Sequence, residues 1–484
     1  MRKLLKGKMK KVVATGLCLA MVAGCLAGCG SSDDKSSESS TAAEKTEDVG
    51  EKTEAPSGEK KGTINVWAFT DEVPKMIDKY VETHPDFGYE INTTIVATTD
   101  GAYQPALDQA LAAGGPDAPD IYCAEAAFVL KYTQGDASSY AAAYEDLGID
   151  VDSKIAEAQI AQYSVDIGTN PDGKVVGLGY QATGGCFIYR RSIAKDAFGT
   201  DDPAEISKII GGGSGNWDKF FEAAETLKGK GYGIVSGDGD IWHAVENSSD
   251  DGWIVDGKLT IDPKREAFLD ISKKLKDNDY YNDTQDWQDA WFADMKGEGE
   301  QPIFGFFGPA WLINYTLAPN CGGEKVGEGT YGDWAVCDPP VGFFWGGTWI
   351  LANKDTEKKE AVAEIIEWIT LNSTEDGLQY AWANGTVDWD NDPNTATAKD
   401  SVASGKVMSI SDGSLDFLGG QNMFDYFIPA NNYANGKNLT QYDETINQYW
   451  RDAVRTYTSG EKSREEAIET FKQNVKDNLD VVVE

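Results

Sequence analysis

Histidine is nearly missing from this chain of 484 residues: His84 and His243 are the only two, and none of the seven cysteines is spaced as Cys-x-x-Cys. A zinc site of the usual His/Cys kind is therefore a poor fit, and neither metal nor cofactor is expected. Basic residues are also scarce, 43 against 80 acidic ones, for a formal net charge of −37. That balance repels a phosphate backbone and argues against a nucleic-acid partner. Its plain meaning is a well-solvated surface, with a site for cationic ligands as the alternative. No Gly-x-Ser-x-Gly elbow is present, because Ser214 and Ser236 lack the pair of flanking glycines, so the hydrolase motif with the clearest local signature is missing. Beyond the first thirty residues no long apolar run occurs; 349–352 is short and 361–371 is interrupted by charges. Nothing there is long enough to span a bilayer.

What is present starts with the leader. Arg2, Lys3, Lys6, Lys8, Lys10 and Lys11 precede an apolar stretch at 12–26, which ends in Leu26-Ala27-Gly28-Cys29. Residues 1–28 read as a lipoprotein signal peptide that is removed, leaving Cys29 as the lipidated N-terminus; a plain secretory signal with a chance cysteine is the alternative. Two acyl chains, at roughly 0.8 kcal/mol per buried CH₂, would hold the protein at a membrane surface. The expected location is the extracellular face of the cell membrane. Residues 29–62 then form a polar linker of Ser, Asp, Glu, Lys, Thr and Gly, with Val49 as its one large apolar residue. Such a composition cannot bury enough surface to fold, and as a flexible coil it reaches on the order of 30 Å.

About 420 residues remain, enough for a large two-lobed body. Residues 63–69 read as a strand and 73–83 as a helix with apolar Val73, Met76, Ile77, Tyr80 and Val81. A strand at 89–97 and a helix at 103–113, ended by Gly114-Gly115-Pro116, lead into a third strand at 120–123. Alternating strands and helices predict a parallel sheet with crossover helices. Ligands of such sheets bind beyond the carboxyl ends of the strands, here 67–70, 98–100 and 124–126. Strand-like runs follow at 175–180, 186–190, 231–235 and 303–307, with helices at 217–228, 357–371, 442–458 and 463–479. Ser463 and Glu466 are spaced as a capping box. Cys123 and Cys186 sit in apolar runs as buried thiols, while Cys321 and Cys337 close the shortest loop and are the candidates for a disulfide.

Four stretches in order resemble one family: Ile64-Asn65-Val66-Trp67; Ala118-Pro119-Asp120-Ile121-Tyr122; Gly305-Phe306-Phe307-Gly308-Pro309-Ala310-Trp311; and Gly346-Gly347-Thr348-Trp349-Ile350 running into the 360–371 helix. They are similar to bacterial extracellular solute-binding proteins of family 1, the sugar-capturing subunits of ABC importers, akin to maltose-binding protein. The resemblance covers 62–484. It implies an α/β, two-lobed periplasmic-binding-protein-like fold of type II, with a hinge of crossing segments and the ligand in the inter-lobe cleft. By order, lobe 1 takes 63–178 and 339–385, and lobe 2 takes 182–335 and 388–484. A carbohydrate ligand, an ABC permease partner and a monomeric state are implied as well.

Sugars present hydroxyls around an edge and CH patches on their faces, so aromatic rings beside carboxylates and amides suit them. The chain has 14 tryptophans. The expected ligand-binding residues are Trp67, Phe69, Asp100, Glu125, Tyr180, Gln181, Trp242, Trp311, Trp345 and Gly346; no residue is expected to be catalytic. Alternatives stay open at several of them: Trp67 can be core, and Glu125 can cap a helix. Trp242 reads as an exposed loop residue, Trp349 as packed under its strand, and Trp287 with Trp291 as a packed helix face. Gly177-Leu178-Gly179-Tyr180-Gln181-Ala182 fits a dinucleotide fingerprint only nominally, since a strand and not a helix follows. Asp388, Asp390 and Asp392 start like a calcium loop, but Pro393 and Lys399 at its sixth and twelfth positions defeat an EF-hand and leave only a looser site as an alternative. Two rival functions stand beside sugar capture, an extracellular glycoside hydrolase and a binding protein for a non-sugar solute.

Overall fold

The computed structural model describes residues 61–98, 101–389 and 397–484. The leader, Cys29 and nearly all of the linker lie outside the described residues, as do Asp100, Asp390 and Asp392.

Eight strands form the two sheets that matter for function: β1 (Gly62–Ala68), β2 (Tyr89–Ile95), β3 (Ile121–Glu125), β4 (Gly177–Gly179), β5 (Cys186–Arg190), β6 (Gly305–Gly308), β7 (Trp334–Cys337) and β8 (Thr348–Ala352). The first sheet runs β2-β1-β3-β8-β4 and the second β6-β5-β7. β1 pairs parallel with β2 and β3, and the helices Glu72–Thr83 and Tyr103–Ala113 make the expected crossovers. Val73, Met76, Ile77 and Tyr80 are buried on one helix face, as their spacing requires. β8 departs from the parallel pattern: it lies antiparallel between β3 and β4, arriving from the other sheet some 220 residues after β3. No local pattern foretells a partner that distant.

Asp120 pins the start of β3. Its carboxylate accepts from Asn65 N at 2.8 Å, from Thr356 Oγ1 at 2.6 Å and from Lys358 Nζ at 2.7 Å. The Ala-Pro-Asp motif therefore fastens β1, β3 and the loop after β8 together, and a buried carboxylate with this many donors is well satisfied.

The chain passes between the sheets at 180–185 and again at 338–347, and these two passes pair with one another. Gly185 N donates to Phe343 O at 2.9 Å, Trp345 N to Thr183 O at 3.1 Å, and Thr183 Oγ1 to Gly346 O at 2.8 Å. Gly185 must lack a side chain, because a Cβ there would sit 2.0 Å from the Phe343 ring. A later segment lies alongside: Ala403 N donates to Tyr180 O, and Ser401 Oγ to Ala182 O at 2.7 Å.

Two expectations change. Residues 231–235 form no strand; Gly233 and Val235 make single bridges to Ile303 and Tyr281, because this glycine-rich run is too short to build a ladder. Cys321 and Cys337 are free and buried, as are Cys123 and Cys186, so the disulfide is absent. Cys337 is held inside β7, while Cys321 points its thiol at the carbonyls of Ala318 and Gly323. Asp443–Thr458 and Arg464–Asn478 are helices as expected. Their capping box is real: Ser463 Oγ accepts from Glu466 N, and the Glu466 carboxylate from Ser463 N. Among the described residues no helix is long and apolar enough to cross a membrane.

Candidate functional site

Strand ends from both sheets converge. β1 delivers Asp71 and Glu72, β3 delivers Glu125, and β6 runs through Pro309 into a short helix carrying Trp311, Asn314 and Tyr315. Spaced i, i+3 and i+4, these three share a face. At one end of that face is an aromatic cluster. Trp287 lies parallel to Trp311, with centroids 6.2 Å apart and planes at 10°. Trp345 meets Trp311 edge-on at 4.9 Å, and Trp311 Nε1 donates to Trp345 O at 2.9 Å. The other face of Trp345 stacks on His243 at 3.6 Å. Gly346 sits beside both Trp311 and the Glu125 carboxylate, and its φ of +71° is what favours glycine there. At the other end is a cavity of about 250 Å³, lined among others by Glu72, Asn314, Tyr315, Trp382, Trp389 and Asp400. A larger hollow, about 410 Å³, is lined by Gln134, Asp166, Asn170, Lys437 and their neighbours and contains no aromatic ring.

The helix Asp238–Ser248 closes the aromatic end from the second sheet's side. His243 stacks on Trp345 from it, and Asn247 Nδ2 donates to Phe344 O at 2.9 Å. Glu246 stands between them in sequence on the same side of that helix. Beneath, Asp286 lies 3.3 Å from His243 Nε2 and 3.5 Å from Arg451 Nη1. Gly239 leaves room for this pair, since a Cβ there would meet Asp286 at 2.4 Å and Arg451 at 2.7 Å. Burial opposes ionisation of Asp286, but His243 and Arg451 outweigh it and hold the carboxyl down at about 2. Burial also lowers the His243 imidazole, leaving it neutral at pH 7.

The other carboxyls go the opposite way. Burial pushes Glu125 up to about 7 despite the Ala127 amide donating to it at 2.7 Å, with Glu444 adding repulsion. Burial likewise lifts Glu246 to about 7 against the pull of Arg265, and Asp400 to about 7 against Asn314 and Ser401. These three bind protons more tightly folded than unfolded. Their contribution to stability is thus complete below about pH 4 and is lost as pH rises through 7. The melting temperature is expected to be higher at pH 5 than at pH 8. Glu125→Gln should flatten part of that slope in a calorimetric pH series; an unchanged slope would place Glu125 in solvent.

The structure brings some of the expected site residues together and leaves others apart. Trp311, Trp345, Gly346 and Glu125 come together as one cluster. Tyr180 is buried; its hydroxyl bonds the Glu72 carboxylate, so it supports the cavity wall from behind. Gln181 adjoins Asp400. Trp67 and Phe69 are half-buried against the cluster of Tyr103 and Phe128 and do not line the cavity. Trp242 is a correction: it is 1 % exposed, packed on Phe268 inside a helix that the Gly-Asp-Gly-Asp start disguised as a loop. Trp287 is another: it precedes the helix Asp289–Lys296 with φ +66°, 36 % exposed, and only Trp291 packs inside. Glu72 lies two residues past the strand end at 67–70, just outside the stretch that the strand-end rule points to. Asp400, Arg451 and Trp382 carry no local signal, because distant segments bring them to the cleft.

Comparison with known proteins agrees with this architecture. A crystal structure of an extracellular solute-binding protein of family 1 superposes with a TM-score of 0.69 at 17% identity, covering 86% of this chain and 99% of that one. The galacto-N-biose/lacto-N-biose I-binding protein of the ABC transporter from Bifidobacterium longum, in complex with lacto-N-biose, gives 0.59 at 16% identity, covering 88% and 100%. The sugar-binding protein MalE from Xanthomonas citri gives 0.61 at 13%, covering 86% and 96%. No curated protein matches the sequence. These likenesses establish the two-lobed type II fold, and the family model for bacterial extracellular solute-binding proteins matches residues 67–375. The chain belongs to that family.

Proposed function

We propose that this protein captures an oligosaccharide outside the cytoplasm by closing two lobes around it and delivers it to the membrane subunits of an ABC importer. One observation carries the reading: the Trp287, Trp311 and Trp345 rings and the Glu125 carboxylate meet where strand ends of two sheets converge, beside the paired crossings at 180–185 and 338–347. Aromatic faces stack on sugar CH patches, and the carboxylate accepts sugar hydroxyls. Neighbours that bind lacto-N-biose and other sugars support the ligand class. The lobe division 63–178 with 339–385 against 182–335 with 388–484, Cys29 lipidation, a monomeric state and the lack of catalysis belong to the same proposal. The permease distinguishes closed from open receptor by its different affinity for the two states.

Titration calorimetry against α- and β-linked oligosaccharides, followed by chromatography of each mixture, tests it. Micromolar binding with the sugar recovered intact is the expected result. Shortened products would replace capture with glycoside hydrolysis, and binding of no sugar at all would end the proposal.

A further inference from the structure

Hydrogen bonds fix the backbone of Trp345, and ring contacts fix its side chain. Its amide donates to Thr183 O at 3.1 Å, and its carbonyl accepts from Trp311 Nε1 at 2.9 Å. Neither bond sets the side-chain torsions, and an indole free to choose among its rotamers would offer a ligand a different face in each. Three rings surround it. Trp311 and Trp287 meet it at steep angles, 4.9 and 6.0 Å away, and both belong to the proposed ligand surface. His243 is of another kind: it is buried, and it lies flat against the indole at 3.6 Å with the planes 15° apart.

His243 is itself held in place. The Asp286 carboxylate stands 3.3 Å from its Nε2 and is bonded in turn by Arg451 at 3.5 Å. Gly239, one turn earlier on the same helix, has no side chain where a Cβ would collide with both partners. Asn247, one turn later, donates to Phe344 O at 2.9 Å, so one helix face grips two consecutive residues of the crossing, Phe344 by its backbone and Trp345 by its ring. The start of that helix is tied down by the Asp240 carboxylate, which accepts from the Ser236 and Gly237 amides at 3.2 and 3.0 Å. A leucine would fill the space beside the indole equally well. A flat ring whose nitrogen faces a carboxylate has a preferred plane in addition, and it passes that plane to whatever stacks on it. A ring ordered in advance spares the ligand the entropy of ordering it.

We infer that His243 is a positioning residue, backing the Trp345 indole so that it keeps one orientation toward the ligand. What the indole grips rests on the sugar-capture reading; how it is held does not.

Two variants of the purified full chain separate the ring from its bulk: His243→Leu fills the space without a flat face, and His243→Phe restores the face without the nitrogen. Calorimetry uses maltotriose, cellotriose and lacto-N-biose. For whichever of them wild type binds, His243→Leu should weaken affinity by about 5- to 10-fold and His243→Phe should recover most of it. Near-ultraviolet circular dichroism reads the ring without any ligand. The band that Trp345→Phe removes should fade in His243→Leu and return in His243→Phe. His243→Asn, polar and without a ring, replaces the His243→Leu protein if that does not fold. A folded ringless variant that keeps either the band or the affinity overturns the inference, as does a His243→Phe protein no better than the ringless one. Binding of none of the sugars by wild type overturns the capture reading alone, and the band then decides the inference.

Discussion

Arg451→Met is expected to destabilise the protein by about 3 kcal/mol, the lower end of what removing one member of a buried ion pair costs. Asp286 would then lie buried with only the neutral His243 ring beside it in place of a cation, facing Asp240, whose carboxyl burial and Asp286 itself push up. The buried, neutral imidazole would have to take up a proton to compensate, which softens the loss without abolishing it. The pH dependence has a definite sign. The native Asp286 carboxyl titrates below its ordinary value of 3.8, at about 2. Its stabilisation is therefore present above pH 4 and disappears as the pH falls towards 2. The gap between wild type and variant in urea unfolding should be full at pH 7 and close in acid. A constant gap would mean that Arg451 stabilises by packing its stem rather than by charge.

Trp311→Ala is expected to weaken ligand binding by about 1–3 kcal/mol, roughly 5- to 150-fold. The ring is flanked by Trp287 and Trp345, and its Nε1–H holds the Trp345 carbonyl, so its loss removes a stacking face and loosens the neighbour at once. Trp242→Phe is the control: that ring is packed on Phe268, and its trimming should lower stability while affinity stays as it was. Calorimetry on both variants, with melting curves, separates the two roles. Unchanged affinity in a folded Trp311→Ala protein would remove this ring from the site.

Local periodicity carried much of the fold in the sequence. The helices Glu72–Thr83, Tyr103–Ala113 and Arg464–Asn478 announce themselves by apolar spacing, a Gly-Gly-Pro stop and a capping box. β8 could not be assigned its antiparallel partners, because β3 and β4 lie far away in the chain. The site divides along the same line. Glu125, Trp311 and Trp345 lie at or beside strand ends and could be found by rule. Trp287 depends on one positive φ, and Arg451 and Asp400 reach the cleft from segments whose own patterns say only amphipathic helix or loop. Trp242 shows the reverse failure, polar neighbours concealing a buried helix.

Trp345 lies in the crossing segment itself, one residue before a glycine at φ +71°, and its amide is bonded to the opposite crossing through Thr183. The ring proposed to touch the ligand is thus mounted on the axle about which the lobes would turn. No relay is needed between ring and crossing, because the residue that carries the indole is itself bonded across the two passes. If the lobes close as proposed, a substitution at this position that changes the grip on the ligand would change the closure with it.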